Sequence, residues 1–117
     1  MSTARPLTTT WTTPDEHTAK VAVEGDLDFD TADALLREVA ERLPGLRALH
    51  LDLAGLGFCD SYGLSVLLMV RRRAEAASAS LHLDNRPGSL ERLLVVTNTL
   101  DHLTGVATLV HQQTPEP

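Results

Sequence analysis

An aspartate and a serine, Asp60 and Ser61, stand side by side in the otherwise apolar stretch LGFCDSYGLSVLL at residues 56–68. A carboxylate and a hydroxyl where an apolar helix begins can do two kinds of work. Either can cap the helix, because its first backbone N–H groups have no intrahelical acceptor and Ser and Asp are preferred at that position. The hydroxyl can also accept a phosphoryl group, since a helix start combines unpaired donors with a partial positive charge. A phosphate there would add about −1.5 to −2 charges beside the Asp60 carboxylate. Gly63 leaves room for another backbone or a partner to come close at the helix entry. A serine hydrolase is not indicated: there is no G-x-S-x-G turn and no identifiable third group.

Other residues with chemical potential carry weaker signals. Asp26, Asp28 and Asp30 in GDLDFDTA read, from the residues alone, as a solvated turn leading into a helix cap. His50 and His82 fall on one face of neighbouring strands, but two ligands are short of the usual three or four of a metal site. Exposed sheet histidines are expected, and no metal. The three arginines at 71–73 point in different directions from a helix and read as a solvated face. Trp11 is expected to cover a sheet edge or core rim. Cys59 is the only cysteine, so it forms no intrachain disulfide and no cysteine-cluster zinc site, and reads as a small core residue.

The chain that must position these groups has 117 residues, 43% of them hydrophobic, which fits one domain with a small core. A formal net charge of −6 without a basic stripe argues against nucleic acid and against an anionic membrane surface. No apolar run approaches the length of a membrane span, and no apolar signal core opens the chain, so a cytoplasmic protein is expected. Residues 8–111 are expected to form the domain, with flexible ends at 1–7 and 112–117.

Strands and helices alternate along it. KVAVEG reads as a strand ended by Gly25; LHLDL and SLHLD place leucines on one face and His and Asp on the other. The tetrapeptide LHLD occurs twice, at 49–52 and 81–84. Such alternation predicts a sheet covered by helices on one face only. DTADALLREVAERLPG has helical spacing, with Asp30 or Thr31 as cap and Pro44 and Gly45 as stop. SYGLSVLLMVRRRAEAAS is a second helix, capped by Ser61 or Asp60 and apolar nearly all round at its start; SLERLLVVTN is a third. LTTTW and TGVATLV are candidate extra strands. The order β, β, α, β, α, β, α predicts an α/β domain with a small, mixed, mostly parallel sheet. The Asp60 and Ser61 pair then lies in a loop after the strand at 48–53. The carboxyl end of a strand is the default site of function in such sheets.

Three segments in this order resemble STAS domains, specifically the bacterial anti-sigma factor antagonists. They are VEGDLDFDTADALL, LHLDLAGLGFCDSYGLSVLL and LHLDNRPGSLERLLVVTNTLDHL, and together they span about residues 20–103. The resemblance implies a STAS fold and a regulatory protein that is a kinase substrate and not an enzyme. Unphosphorylated, it binds an anti-sigma factor with serine kinase activity and frees a sigma factor; phosphorylation switches it off, and a phosphatase can reverse the mark. Carried over, the acceptor is Ser61. The partner-binding face comprises Asp26, Asp28, Asp30, Asp60, Ser61, Tyr62 and Gly63. The family commonly has a small hydroxyl residue where this chain has Tyr62, a bulky phenol expected either to narrow which kinase docks or to form a partner contact. ATP comes with the partner, since no phosphate-binding loop is present and Lys20 is the only lysine. No cofactor is implied, and a monomer or weak dimer is expected. The alternative is a STAS accessory subunit of a transporter or lipid-transport complex, using the same loop without phosphorylation.

Overall fold

Leucine and valine at every second position set the sheet. Val21 and Val23, Leu49, Leu51 and Leu53, and Leu81 and Leu83 are buried; Lys20, His50, Asp52, His82 and Asp84 alternate with them on the outer face. The computed structural model describes residues 5–96. Its elements are β1 (Thr8–Asp15), β2 (Thr18–Leu27), α1 (Ala32–Arg42), β3 (Ala48–Cys59), α2 (Ser61–Ala76), β4 (Ser80–Asp84) and α3 (Gly88–Val96). The strands lie in the order β1-β2-β3-β4, with β1 antiparallel to β2 and the other two pairings parallel. The expected mixed, mostly parallel α/β sheet is therefore present, and LTTTW is part of β1. The candidate strand TGVATLV lies outside the described residues.

The two LHLD copies are neighbours. Leu49 pairs with Leu81, His50 with His82, Leu51 with Leu83 and Asp52 with Asp84. In a parallel pair this register puts four leucines on the helix-covered face. It also stacks the two imidazoles on the open face, 4.3 Å apart and 12° from parallel. His50 Nδ1 lies 3.0 Å from Asp84 Oδ2. Among the described residues, no group of three or more His, Cys, Asp or Glu is placed to hold a metal.

Helices α1 and α2 cover the leucine face through Ala32, Leu35 and Val39 and through Leu64, Val66, Leu67, Val70 and Ala74. The start of α2 is not buried all round: Ser61, Ser65 and Met69 form an exposed stripe. The described core consists only of Ala, Val and Leu. Trp11 does cover a rim, donating from Nε1 to Glu38 at 2.8 Å with Arg42 over its ring at 4.6 Å.

Two expectations about strand ends are corrected. Gly25 does not end β2, and β3 does not stop at residue 53; the strands run on to Leu27 and Cys59. Their pairing continues past two register shifts, from Ala22↔Asp52 to Glu24↔Gly55 and from Gly25↔Leu56 to Asp26↔Phe58. Each shift puts an extra residue in β3, which breaks the alternation that marks a strand in sequence. Gly25 takes φ +102, and a Cβ there would lie 2.1 Å from the Pro6 carbonyl oxygen. Residues 5–7 thus run against the end of β2, although they belong to the expected flexible lead-in 1–7.

Candidate functional site

The carboxyl ends of β2 and β3 meet the first turns of α1 and α2, and every residue of the expected partner face is in this corner. Asp60 is the cap of α2. Its backbone is extended (φ −93, ψ −175), and Oδ1 accepts from the Gly63 N–H at 2.7 Å. Oδ2 accepts from the Phe29 N–H at 3.3 Å, so one carboxylate ties the β2–α1 loop to the start of α2. The Asp60 N–H in turn donates to the Leu27 carbonyl at 3.2 Å. Ser61 is consequently the first helical residue, not the cap. Its side chain is exposed, and among the described residues nothing hydrogen-bonds its hydroxyl.

This division of labour has a measurable consequence. Asp60→Ala is expected to cost about 1 kcal/mol or somewhat more, because a cap and a loop tie are lost together. Ser61→Ala should change stability by less than about 0.5 kcal/mol, as surface changes away from such features do. Urea denaturation of the two variants checks this; equal losses would mean that both side chains cap the helix.

The acidic turn is more ordered than a solvated loop. Asp28 Oδ1 accepts from the Asp30 N–H at 3.0 Å, and the Thr31 hydroxyl accepts from the Asp28 N–H at 2.9 Å and donates to the Asp26 carbonyl at 2.7 Å. Thr31 is the cap residue of α1 by position but makes no side-chain cap bond. Asp26 is buried, and holds Arg5 through its main-chain N–H at 2.9 Å and its guanidinium at 3.7 Å. Asp28 is half-buried and Asp30 exposed. The three acids therefore differ in role: Asp26 holds the N-terminal segment, Asp28 shapes the turn, and Asp30 faces solvent.

Gly63 is also inward. A Cβ there would stand 2.3 Å from the Leu27 carbonyl oxygen and 3.1 Å from Cys59 Sγ. The close approach foreseen for this glycine is made by the end of β2 within the chain itself. Burial pushes the Cys59 thiol up to about 12, with the Asp60 charge adding to the shift, so it is protonated and unreactive at neutral pH.

A family model described as "Mlab, STAS domain" matches residues 12–110. The chain belongs to the STAS domain family. Among solved structures, it is similar to the anti-sigma factor antagonist SpoIIAA in its unphosphorylated form (16% identity, 79% of this chain and 82% of that one, TM-score 0.69). It is also similar to an anti-sigma factor antagonist from Mycobacterium paratuberculosis (26% identity, 82% of this chain and 80% of that one, TM-score 0.68). A third likeness is to SLC26A9 (13% identity, TM-score 0.67), where 77% of this chain covers 17% of a much longer one. A search of curated proteins gave no match.

In this STAS domain Tyr62 is not a loose phenol. Its hydroxyl donates to Asp33 Oδ1 at 2.6 Å, and its ring meets Phe29 edge-on at 5.1 Å and 65°. The bond to Asp33 raises the phenol above its ordinary 10.0, with desolvation and the Asp33 charge acting in the same direction. A raised value in the folded state means the bond is fully present below the ordinary value. It is lost as pH rises through the folded one. Tyr62 is the only tyrosine, so phenolate absorbance reports it alone. Its titration midpoint should lie above that of the urea-unfolded chain, and Asp33→Asn should lower it. Coincident midpoints in folded, unfolded and Asp33→Asn protein would show that the bond is absent in solution.

Phe29 and Phe58 were not marked as site residues by the sequence, yet both border this corner and both are exposed. Each sits in a segment where an aromatic residue ordinarily signals core. The available clue was the charge around Phe29, flanked by Asp28 and Asp30, which is a poor setting for a buried ring.

Proposed function

We propose that this STAS domain is an anti-sigma factor antagonist. It binds a kinase-type anti-sigma factor when unmodified, frees a sigma factor, and is switched off by phosphorylation of Ser61. The observation that carries the reading is the Ser61 hydroxyl, exposed and without a hydrogen-bond partner among the described residues, at the first position of α2. The neighbouring hydroxyls are engaged. Thr31 is bonded on both sides, and Ser65 donates to the Ser61 carbonyl at 3.1 Å. A phosphate on Ser61 would sit against the N–H groups of Ser61 and Tyr62, which have no intrahelical acceptor, so the helix tolerates the mark. The new charge instead acts outward, on a partner face already bearing Asp30, Asp33 and Asp60. The likeness to antagonists over about four fifths of both chains supports the same reading, and SpoIIAA itself has been solved in both unphosphorylated and phosphorylated forms.

The test is incubation with purified kinase-type anti-sigma factors and ATP, followed by intact mass and phosphopeptide mapping. One phosphate on Ser61 is expected. Phosphate on Thr31, Ser65 or Ser89 instead would reject Ser61 as the acceptor. No transfer by any such kinase would favour a STAS accessory subunit of a transporter or lipid-transport complex, which uses this face without modification.

A further inference from the structure

Both phenylalanines of the chain lie on the surface, and both lie at the end that carries Ser61. Phe29 is 71% exposed and Phe58 is 55% exposed, while the described core is built from Ala, Val and Leu alone. A phenyl ring left in water is costly in proportion to its apolar area. Aromatic side chains are also enriched in the cores of protein interfaces. The fold brings the two together: Asp26 pairs with Phe58 and Leu27 with Cys59, so Phe58 lies near the end of β3 and Phe29 just past the end of β2.

Phe29 is held before any partner arrives. Its N–H donates to Asp60 Oδ2, and its ring meets Tyr62, which is itself tied to Asp33. The carboxylate that caps the helix bearing Ser61 thus also fixes Phe29. An anchor ordered in advance loses less entropy on docking. On the other side, Phe58 walls a groove of about 460 Å³ with Leu56, Cys59, Leu90, Arg92 and Leu93, which extends the apolar surface toward α3. The surroundings of Phe29 are acidic, with Asp28 and Asp30 beside it in sequence and Asp33 and Asp60 joined to it through bonds. That charge disfavours an anionic bilayer and favours a basic protein rim.

We propose that Phe29 and Phe58 are the two apolar anchors of the partner interface, seated in pockets of the kinase-type anti-sigma factor whose rim opposite Asp30 is basic. The proposal rests on the antagonist reading of Ser61 and adds the residues that determine affinity and partner choice. It also puts the phosphorylation site at the same end as both anchors, next in sequence to Asp60 and Tyr62, which hold Phe29, so that one added charge acts close to the desolvated part of the contact.

The experiment is calorimetric titration of unmodified protein, and of Phe29→Ala, Phe58→Ala, Asp30→Asn and Met69→Ala, against each purified kinase-type anti-sigma factor of the source organism. Wild-type and Met69→Ala chains should bind one of them alike. Each phenylalanine variant should bind about thirty-fold or more weakly, as interface hot spots do, with an unchanged melting temperature because neither ring is in the core. Raising salt should weaken wild-type binding; Asp30→Asn should flatten that dependence and Phe29→Ala should leave it as it is. Full-strength binding by both phenylalanine variants, when wild type binds, would overturn the anchors and leave the antagonist reading intact. Loss of self-association in the phenylalanine variants, with kinase binding retained, would assign the patch to a second copy of this chain instead. Failure of wild type to bind any of these kinases would overturn the antagonist reading and the anchors with it.

Discussion

Gly63→Ala is expected to be among the most destabilising single-methyl additions in the protein, at about 3 kcal/mol, with a fall in melting temperature on the order of 10 °C. The added carbon would stand 2.3 Å from the Leu27 carbonyl oxygen and 3.0 Å from its carbon, and both atoms are backbone. Neither can rotate away. The same carbonyl accepts the Asp60 N–H, so separating α2 from the end of β2 would loosen that bond and, with it, the capped start of α2. Val in place of Ala should be worse, since its branched side chain has even less room. Gly88→Ala is the matched control: a Cβ there meets nothing closer than Arg92 Nη1 at 3.7 Å, and the change should be within about 0.5 kcal/mol of neutral. Chemical denaturation of both variants decides the matter. A Gly63→Ala protein that melts with Gly88→Ala would mean that α2 and the end of β2 do not make this close approach in solution.

Much of this corner was legible before the fold was known, for reasons that differ by residue. Val21, Leu49 and Leu81 announce strands because a period of two is a local property. Helices α1 and α2 likewise follow from spacing and from Pro44, Gly45 and the polar pair before Tyr62. What sequence did not decide was contact at a distance. Asp60 and Ser61 are both good caps, and only the extended backbone at Asp60 makes it the cap and releases the serine. Asp26 looked like its neighbours Asp28 and Asp30 because Arg5, which turns it inward, is 21 residues away. The continuation of β3 to Cys59 was hidden by Gly55 and Gly57 and by two shifts of register, which erase the alternation. Phe58 was unreadable as a surface residue because apolar character alone says core, whereas Phe29 had one local sign, the flanking Asp28 and Asp30.

The second large effect concerns docking. Phosphorylation of Ser61 should weaken binding to the kinase-type anti-sigma factor by about a hundredfold or more, since close like charge and unpaired desolvation each cost kilocalories at an interface. Ser61→Asp should give a smaller loss, because it adds about one charge where phosphate adds nearly two. Ser61→Ala should bind as wild type and never be released by ATP. All should remain folded, because Asp60 and not Ser61 holds the helix start.

The most direct measurement is calorimetric titration of one folded preparation before and after phosphorylation of Ser61, against the same anti-sigma factor, with thermal melts on each sample. The antagonist account predicts tight binding before, a loss of about two orders of magnitude after, and superimposable melts. Equal affinity for the unmodified and the phosphorylated protein would contradict it.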